Sequence, residues 1–262
     1  RNTRSVAGAA AAGGADSDPL ALSLPGGGTP LQATYGDVGS LVSLREKMAG
    51  IDNPFAGEIV VGVADGTLTP DGVVKAWFDE LAALVVARAV NGDLPTDPDG
   101  NDIERPFVTA DGRDLQQLIQ KFLDGAVAFS QACDDYLDDD TDGKGLLSDN
   151  ETRSGSSPYT ALEHQWDEGF GYFGAARDYN DYTDEEIAGA GGREAYRWGY
   201  HDSDGDGAID VTSELNLGHS LNAAKRDRGS GAGSAATDLT KEAFDAFIAG
   251  RHLITTAKGP LS

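Results

Sequence analysis

The chain has 262 residues, 39% of them apolar, enough for one large or two small packed domains and too many for a chain disordered throughout. Lys and Arg number 20 against 44 Asp and Glu, and the net charge of -24 argues against nucleic acid and anionic membrane surfaces as partners. Cys133 is the one cysteine, which excludes an internal disulfide framework and a cysteine-based zinc site, and no apolar run approaches the roughly 18 residues of a membrane span.

Residues 1–36 begin with an Ala/Gly-rich stretch and read as a flexible arm, of the kind that tethers an exported or lipid-anchored domain. Residues 37–262 read as one helical domain. The first expected helix is Val38–Met48, with Leu41, Leu44 and Met48 on one face. Glu58–Val63 is the single strand-like run. A second helix starts at Pro70-Asp71-Gly72, carries Val74, Trp77, Phe78, Leu81, Leu84, Val85 and Ala89 at helical spacing, and stops at Asn91-Gly92. A third runs from Asp114 to Leu137, with Leu115, Ile119, Phe122, Ala126, Phe129 and Cys133 in its apolar stripe. That stripe makes Cys133 a buried, inert thiol. A fourth opens at Ser157-Pro158, with Ser157 as cap, and turns Tyr159, Leu162, Trp166 and either Phe170 or Phe173 inward. A fifth spans Glu214 to Arg226, and a sixth runs from Asp238 or Thr240 to Thr256, with Phe244, Phe247 and Ile248 inward. Gly229–Ala236 reads as a surface loop. The expected class is all-α, a helical bundle with long polar connections.

Those connections are rich in aspartate. Asp outnumbers Glu 32 to 12, and Asp favours loops because its side chain competes for backbone hydrogen bonds. Two readings follow: hard cations such as Ca²⁺ held in the loops, or an acidic surface suited to a saline setting. Both place the protein outside the cytoplasm, in a periplasmic or extracellular setting.

Asp202-Ser-Asp204-Gly-Asp206-Gly207-Ala208-Ile209-Asp210 follows the calcium-loop pattern. Asp202, Asp204 and Asp206 supply converging carboxylates, Gly207 the sharp turn, Ala208 a carbonyl, and Asp210 a contact through water. Position 12 is Ser213, and the acid follows one later at Glu214. A second candidate loop has Asp138, Asp140, Asp142, Lys144 and Asp149 as its ligand positions, with Gly145 where an apolar residue is usual. Asp97–Asp102 reads as a plain turn. His201, His219 and His252 read as surface or capping residues.

On the fourth helix His164 and Glu168, four apart, share a face with Asp167. A histidine with two carboxylates can hold a transition metal such as iron or zinc, or join helices as a hydrogen-bonded strut. The string Glu163-His164-Gln-Trp166-Asp167-Glu168-Gly-Phe170-Gly171-Tyr172-Phe173-Gly174 resembles the signature of a bacterial family of unknown function related to the imelysin-like proteins, the iron-regulated proteins and insulin-cleaving membrane protease relatives. The resemblance covers roughly Val38 to Thr256. His164 and Asp167 match the His and the acid of the Gly-x-His-x-x-Glu hallmark, and Leu162 stands where its glycine falls. The resemblance implies an exported, often lipid-anchored helical bundle associated with uptake of iron or another metal, whose members run further than Ser262. No peptidase motif H-E-x-x-H is present, so proteolysis is the less favoured reading. The functions expected are a metal-associated, extracytoplasmic binding module with Ca²⁺ in its loops, or a Ca²⁺-stabilised subunit of a cell-surface assembly with a protein partner. Membrane contact is expected only through an anchor preceding Arg1.

Overall fold

A computed structural model describes residues 21–39, 44–49, 69–230 and 236–257. The strand-like run Glu58–Val63 lies outside the described residues, as do residues 1–20 of the arm, the middle of the first expected helix and most of the glycine-rich loop after Ser230. The protein is all-α: seven α-helices lie among the described residues, and the only β-pairing there is isolated bridges. No helix among them is long and apolar enough to cross a membrane. The described chain divides into two compact units, one within Leu41–Val127 and the other formed by Ala21–Ser40 with the chain from Ala128 onward.

The first unit rests on α2 (Pro70–Val86) and α3 (Leu115–Leu123), α1 (Tyr35–Val38) being in the second unit. Thr69 caps α2 by accepting from Gly72 N at 3.1 Å, with Pro70 at the first position, and Asp114 caps α3 by accepting from Gln117 N at 3.0 Å. Val73, Trp77 and Leu81 meet Leu115 and Ile119 in a common core, and Trp77 packs edge-on to Phe122 at 5.6 Å. Phe78, expected on this face, is 42% exposed. Arg113 reaches back to grip both carboxylate oxygens of Glu80, at 2.9 and 2.8 Å.

The third expected helix departs from the expectation beyond Leu123. Its backbone winds into π turns at Asp124–Phe129 and Gln131–Tyr136. A π turn takes in an extra residue, so the apolar stripe loses its register. Val127 and Ala132 become buried, while Phe129 and Cys133 are exposed, so Cys133 is no buried thiol.

In the second unit α4 (Ala161–Phe173) starts four residues later than Ser157. Thr160 is its cap, accepting from Glu163 N at 3.2 Å, while the Glu163 carboxylate accepts from Thr160 N at 2.9 Å. Short α5 (Asp184–Ile187), α6 (Gly218–Ser230) and α7 (Leu239–Ala257) complete the unit. Aromatic rings lock α7 to α4: Trp166, Phe170 and Phe173 each lie within 5.3–5.7 Å of Phe247, and Trp166 Nε1 donates to Phe247 O at 2.9 Å. Ile248, expected inward, is exposed. Buried Asp227 on α6 accepts from Leu239 N and Thr240 N, both at 2.9 Å, and so caps α7 from outside.

Residues 21–36, which composition places in a flexible arm, instead form with 37–39 a strap on the second unit. Ile209 N donates to Thr29 O and Leu31 N to Ile209 O, both at 2.8 Å. The Tyr200 hydroxyl donates to Pro25 O at 2.6 Å. Gly26 makes the strap's turn with φ +74°, and a Cβ there would sit 2.1 Å from Trp198 Nε1, so both backbone and space demand glycine.

Candidate functional site

The acidic loop leaves the unit at Tyr200 and returns at Leu215, which pair as an isolated bridge. Within it the side chains of Asp202, Asp204 and Asp206 fold over their own backbone. Asp202 Oδ1 accepts from Gly205 N at 2.7 Å and Oδ2 from Gly207 N at 2.9 Å. Asp206 Oδ1 accepts from Ala208 N at 2.8 Å. These bonds, that from Gly207 foremost, hold the Asp202 carboxyl below the usual carboxylate range. Gly207, at the sixth position, has φ +91°. The result is three carboxylate oxygens, one from each Asp, within 4.8 Å of one another. Oxygens on a common Ca²⁺ at 2.3–2.6 Å can lie no further apart than about twice that distance, so the trio fits the ion.

The two acids that close the loop have other duties. Glu214 is 1% exposed, and its carboxylate accepts from Ser203 N at 2.8 Å, Ser203 Oγ at 2.6 Å and Asp210 N at 2.9 Å. Burial pushes its carboxyl up, and these bonds outweigh that push and hold it down. Asp210 is likewise driven up by burial and more strongly down by Thr212, Ser213 and Gln32. Its Oδ1 accepts from Gln32 Nε2 at 2.8 Å, while Val211 N donates to Gln32 Oε1 at 3.0 Å. Gln32 thus ties the strap to the loop. Glu214 and Asp210 stand outside the converging trio and act as internal scaffolding. The fifth expected helix accordingly begins at Gly218, because Glu214 belongs to the loop.

The second loop is organised differently. Asp149 Oδ1 accepts from Glu151 N at 2.8 Å, its Oδ2 accepts from Thr152 Oγ1, and its carbonyl accepts from Leu162 N at 3.0 Å, so Asp149 shapes the entry to α4. Burial, with Asp140 beside it, raises the Asp138 carboxyl. Among the described residues, Asp138, Asp140, Asp142 and Asp149 do not assemble into a group of three converging ligands, and Lys144 serves a backbone turn with Thr141 O at 3.0 Å. Asp97 is the plain turn expected, accepting from Asp99 N and Asn101 N.

On α4, His164 Nε2 lies 3.6 Å from Glu168 Oε1, with both side chains open to solvent, and the imidazole stacks on Tyr159 at 5.1 Å. Asp167 is drawn away, accepting from Arg251 Nε at 2.8 Å, while Arg251 Nη1 donates to Glu163 at 2.7 Å. Arg251 of α7 therefore clamps two acids of α4, and His164, Asp167 and Glu168 do not converge.

One cluster escaped the sequence reading. His201 is only 24% exposed in its side chain, with Nδ1 at 3.0 Å from Asp178 Oδ2 and its ring stacked on Tyr196 at 3.9 Å. The Arg193 guanidinium lies 3.7 Å from the Tyr196 ring centre. Burial, with Asp178 adding to it, pushes the nearby Tyr182 phenol upward. The one local signal was the position of His201 directly before Asp202, where a loop neck needs a polar strut.

Residues 71–187, somewhat less than half of the chain, match the family model described as Domain of unknown function (DUF4856). No curated protein and no solved structure matches the chain. The matched stretch contains the α4 signature and ends before the acidic loop at Asp202.

Proposed function

We propose that this chain is a calcium-ordered binding module of an extracytoplasmic protein, of the imelysin-like kind that the α4 signature resembles. The convergence of the Asp202, Asp204 and Asp206 oxygens within 4.8 Å is the observation that carries the reading. Three carboxylates crowded together repel one another, and a divalent cation removes that repulsion. Backbone carbonyls and water complete a hard-cation shell of six to eight oxygens. Because Gln32 joins Asp210 to the strap, ordering the loop also steadies residues 21–39. Millimolar Ca²⁺ outside the cytoplasm suits such an open, partly hydrated site. The module's role is then recognition, either of a small ligand or of a protein partner at the cell surface.

The test is a melting curve on the purified chain with Ca²⁺ and with EDTA. At a hundredfold excess over Kd, Ca²⁺ adds about 2.7 kcal/mol of stability, a shift of several degrees. Asp204→Asn, which keeps the side-chain volume, should weaken Ca²⁺ binding by about tenfold or more because ligand charge sets affinity. Equal melting temperatures with Ca²⁺ and EDTA would sink the reading. Iron or zinc at the α4 face is the second reading, resting on His164 and Glu168. It requires stoichiometric iron or zinc that His164→Ala removes.

A further inference from the structure

The second unit carries a half-open cavity of about 960 Å³, at the upper end of the roughly 300–1,000 Å³ range of small-molecule sites. The strap forms one wall with Leu22 and Leu24, α4 another with Phe170 and Gly171, and the segment after Ala188 a third with Trp198 and Leu215. The strap does not collapse into the space. Tyr200 holds it at Pro25, Leu22 N donates to Ala33 O at 2.9 Å, and Gln32 binds it to the acidic loop. The walls are therefore pre-formed and largely apolar, and the neighbouring Tyr35, Trp198 and Leu217 side chains stay 39–51% exposed.

Polar groups along these walls are mostly spent. Asn216 Oδ1 accepts from Ala176 N at 2.8 Å, and its Nδ2 donates to Gly199 O at 3.1 Å. Gly174 O accepts from Ser220 Oγ and Leu217 N, and Thr212 Oγ1 donates to Asp210. A ligand here is recognised by an apolar body rather than by a hydrogen-bond pattern.

Charge narrows the class. Among the described residues no Lys or Arg lines the cavity, and the one carboxylate there is Asp167. Arg251 neutralises only part of the local charge, because one guanidinium serves both Asp167 and Glu163. Asp167, Glu163 and Arg251 together keep one net negative charge around Asp167, and the whole chain carries -24. An anionic head group would enter against the net negative charge of the chain and find no cation among the described lining residues. An ammonium would meet the carboxylate of Asp167, which is half exposed and paired through Oδ1 with Arg251. We infer that this cavity binds a small molecule with an apolar body and one ammonium group, the body against Leu22, Phe170 and Leu215 and the ammonium toward Asp167. The inference stands on the cavity and its charge, and does not depend on calcium in the loop.

The test uses the full chain and the neutral fluorescent probe N-phenyl-1-naphthylamine, displaced by dodecyltrimethylammonium or by dodecanoate, each below its micelle concentration. The probe should bind saturably, and the ammonium should displace it at a concentration about tenfold or more below that of the carboxylate. Gly171 is helical and a Cβ there meets nothing within 4 Å, so Gly171→Phe fills the cavity from a position that tolerates a side chain. That variant should melt as the parent does and lose probe binding about tenfold or more. Asp167→Asn changes an exposed side chain, and should keep probe binding while losing the preference for the ammonium. Absence of saturable probe binding would overturn the inference. So would unchanged binding in a folded Gly171→Phe, or dodecanoate competing as well as the ammonium.

Discussion

Glu186 shows how one buried charge can organise a loop. It is 1% exposed, and its two oxygens accept from Arg193 N, Nε and Nη2 and from Thr183 N, at 2.7–2.9 Å. The Arg193 hydrogen bonds, against the opposing push of burial, lower its pKa from the ordinary 4.5 to about 2. A lowered carboxylate pKa stabilises the fold fully above the ordinary value, and that contribution is lost as pH falls toward 2. Glu186→Gln should therefore cost about 2 kcal/mol at neutral pH, leaving donors unpaired in a buried site. Urea denaturation at several pH values checks the sign: the gap between parent and variant should close between pH 4.5 and about 2. A gap independent of pH would show that packing, not charge, is what Glu186 supplies. The acidic loop uses the same chemistry with the opposite outcome. Glu214 and Asp210 are fully supplied with donors, while Asp202, Asp204 and Asp206 are left with oxygens facing one another.

At the scale of elements, α4 is the joint of the second unit. Its start is fixed by the reciprocal bonds of Thr160 and Glu163, and its flank by Arg251, which pairs with Glu163 and Asp167. Thr160 Oγ1 also donates to Asn150 Oδ1 at 2.9 Å, and Asn150 Nδ2 donates to Ile254 O on α7 at 2.9 Å. Thr160→Ala should destabilise the fold by about 1 kcal/mol or somewhat more, and Thr160→Ser should restore most of it. Urea midpoints of the two variants decide the matter: equal losses would mean that the threonine methyl matters, not the cap. The Thr-x-x-Glu box was present in the sequence, yet Ser157-Pro158 offered a competing start. Competition between two valid signals within four residues is settled by what the preceding loop can reach, and Asn150 reaches Thr160. The π turns after Leu123 were less legible. Periodicity assumes 3.6 residues per turn, and nothing in the local sequence announced the insertions that turned Phe129 and Cys133 outward.

At the scale of the molecule the net charge of -24 opposes compaction. In EDTA, with no divalent cation to neutralise the loops, monovalent salt should raise the melting temperature. Screening shortens from about 30 Å at 0.01 M to about 3 Å at 1 M, so most of the rise should occur below about 0.3 M NaCl. A melting temperature flat in NaCl would show that the acidic groups are far enough apart, or well enough paired, to ignore one another. Among the described residues, exposed ion pairs such as Lys75–Asp79 and Arg197–Glu194 contribute little by themselves. The excess of acid is therefore a property of the whole chain that a few pairs do not cancel.

The sequence by itself determined the all-α class, the start of α2 at Pro70 and the position of α7. It also marked the alternating acids at Asp202, Asp204 and Asp206. These follow from period, capping chemistry and turn glycines within about a dozen residues, a range over which backbone geometry alone dictates which groups meet. Only the tertiary structure decided what each acid does. Asp167 left the histidine face because Arg251, 84 residues on, stands on the helix packed against it. Glu214 became a scaffold because Ser203 and Asp210 offer it donors in a buried place. Residues 21–39 became a wall because Ile209, Asp210 and Tyr200 supply partners some 175–180 residues away. A carboxylate's role depends on the nearest donor in space, and no local pattern records which distant donor arrives first.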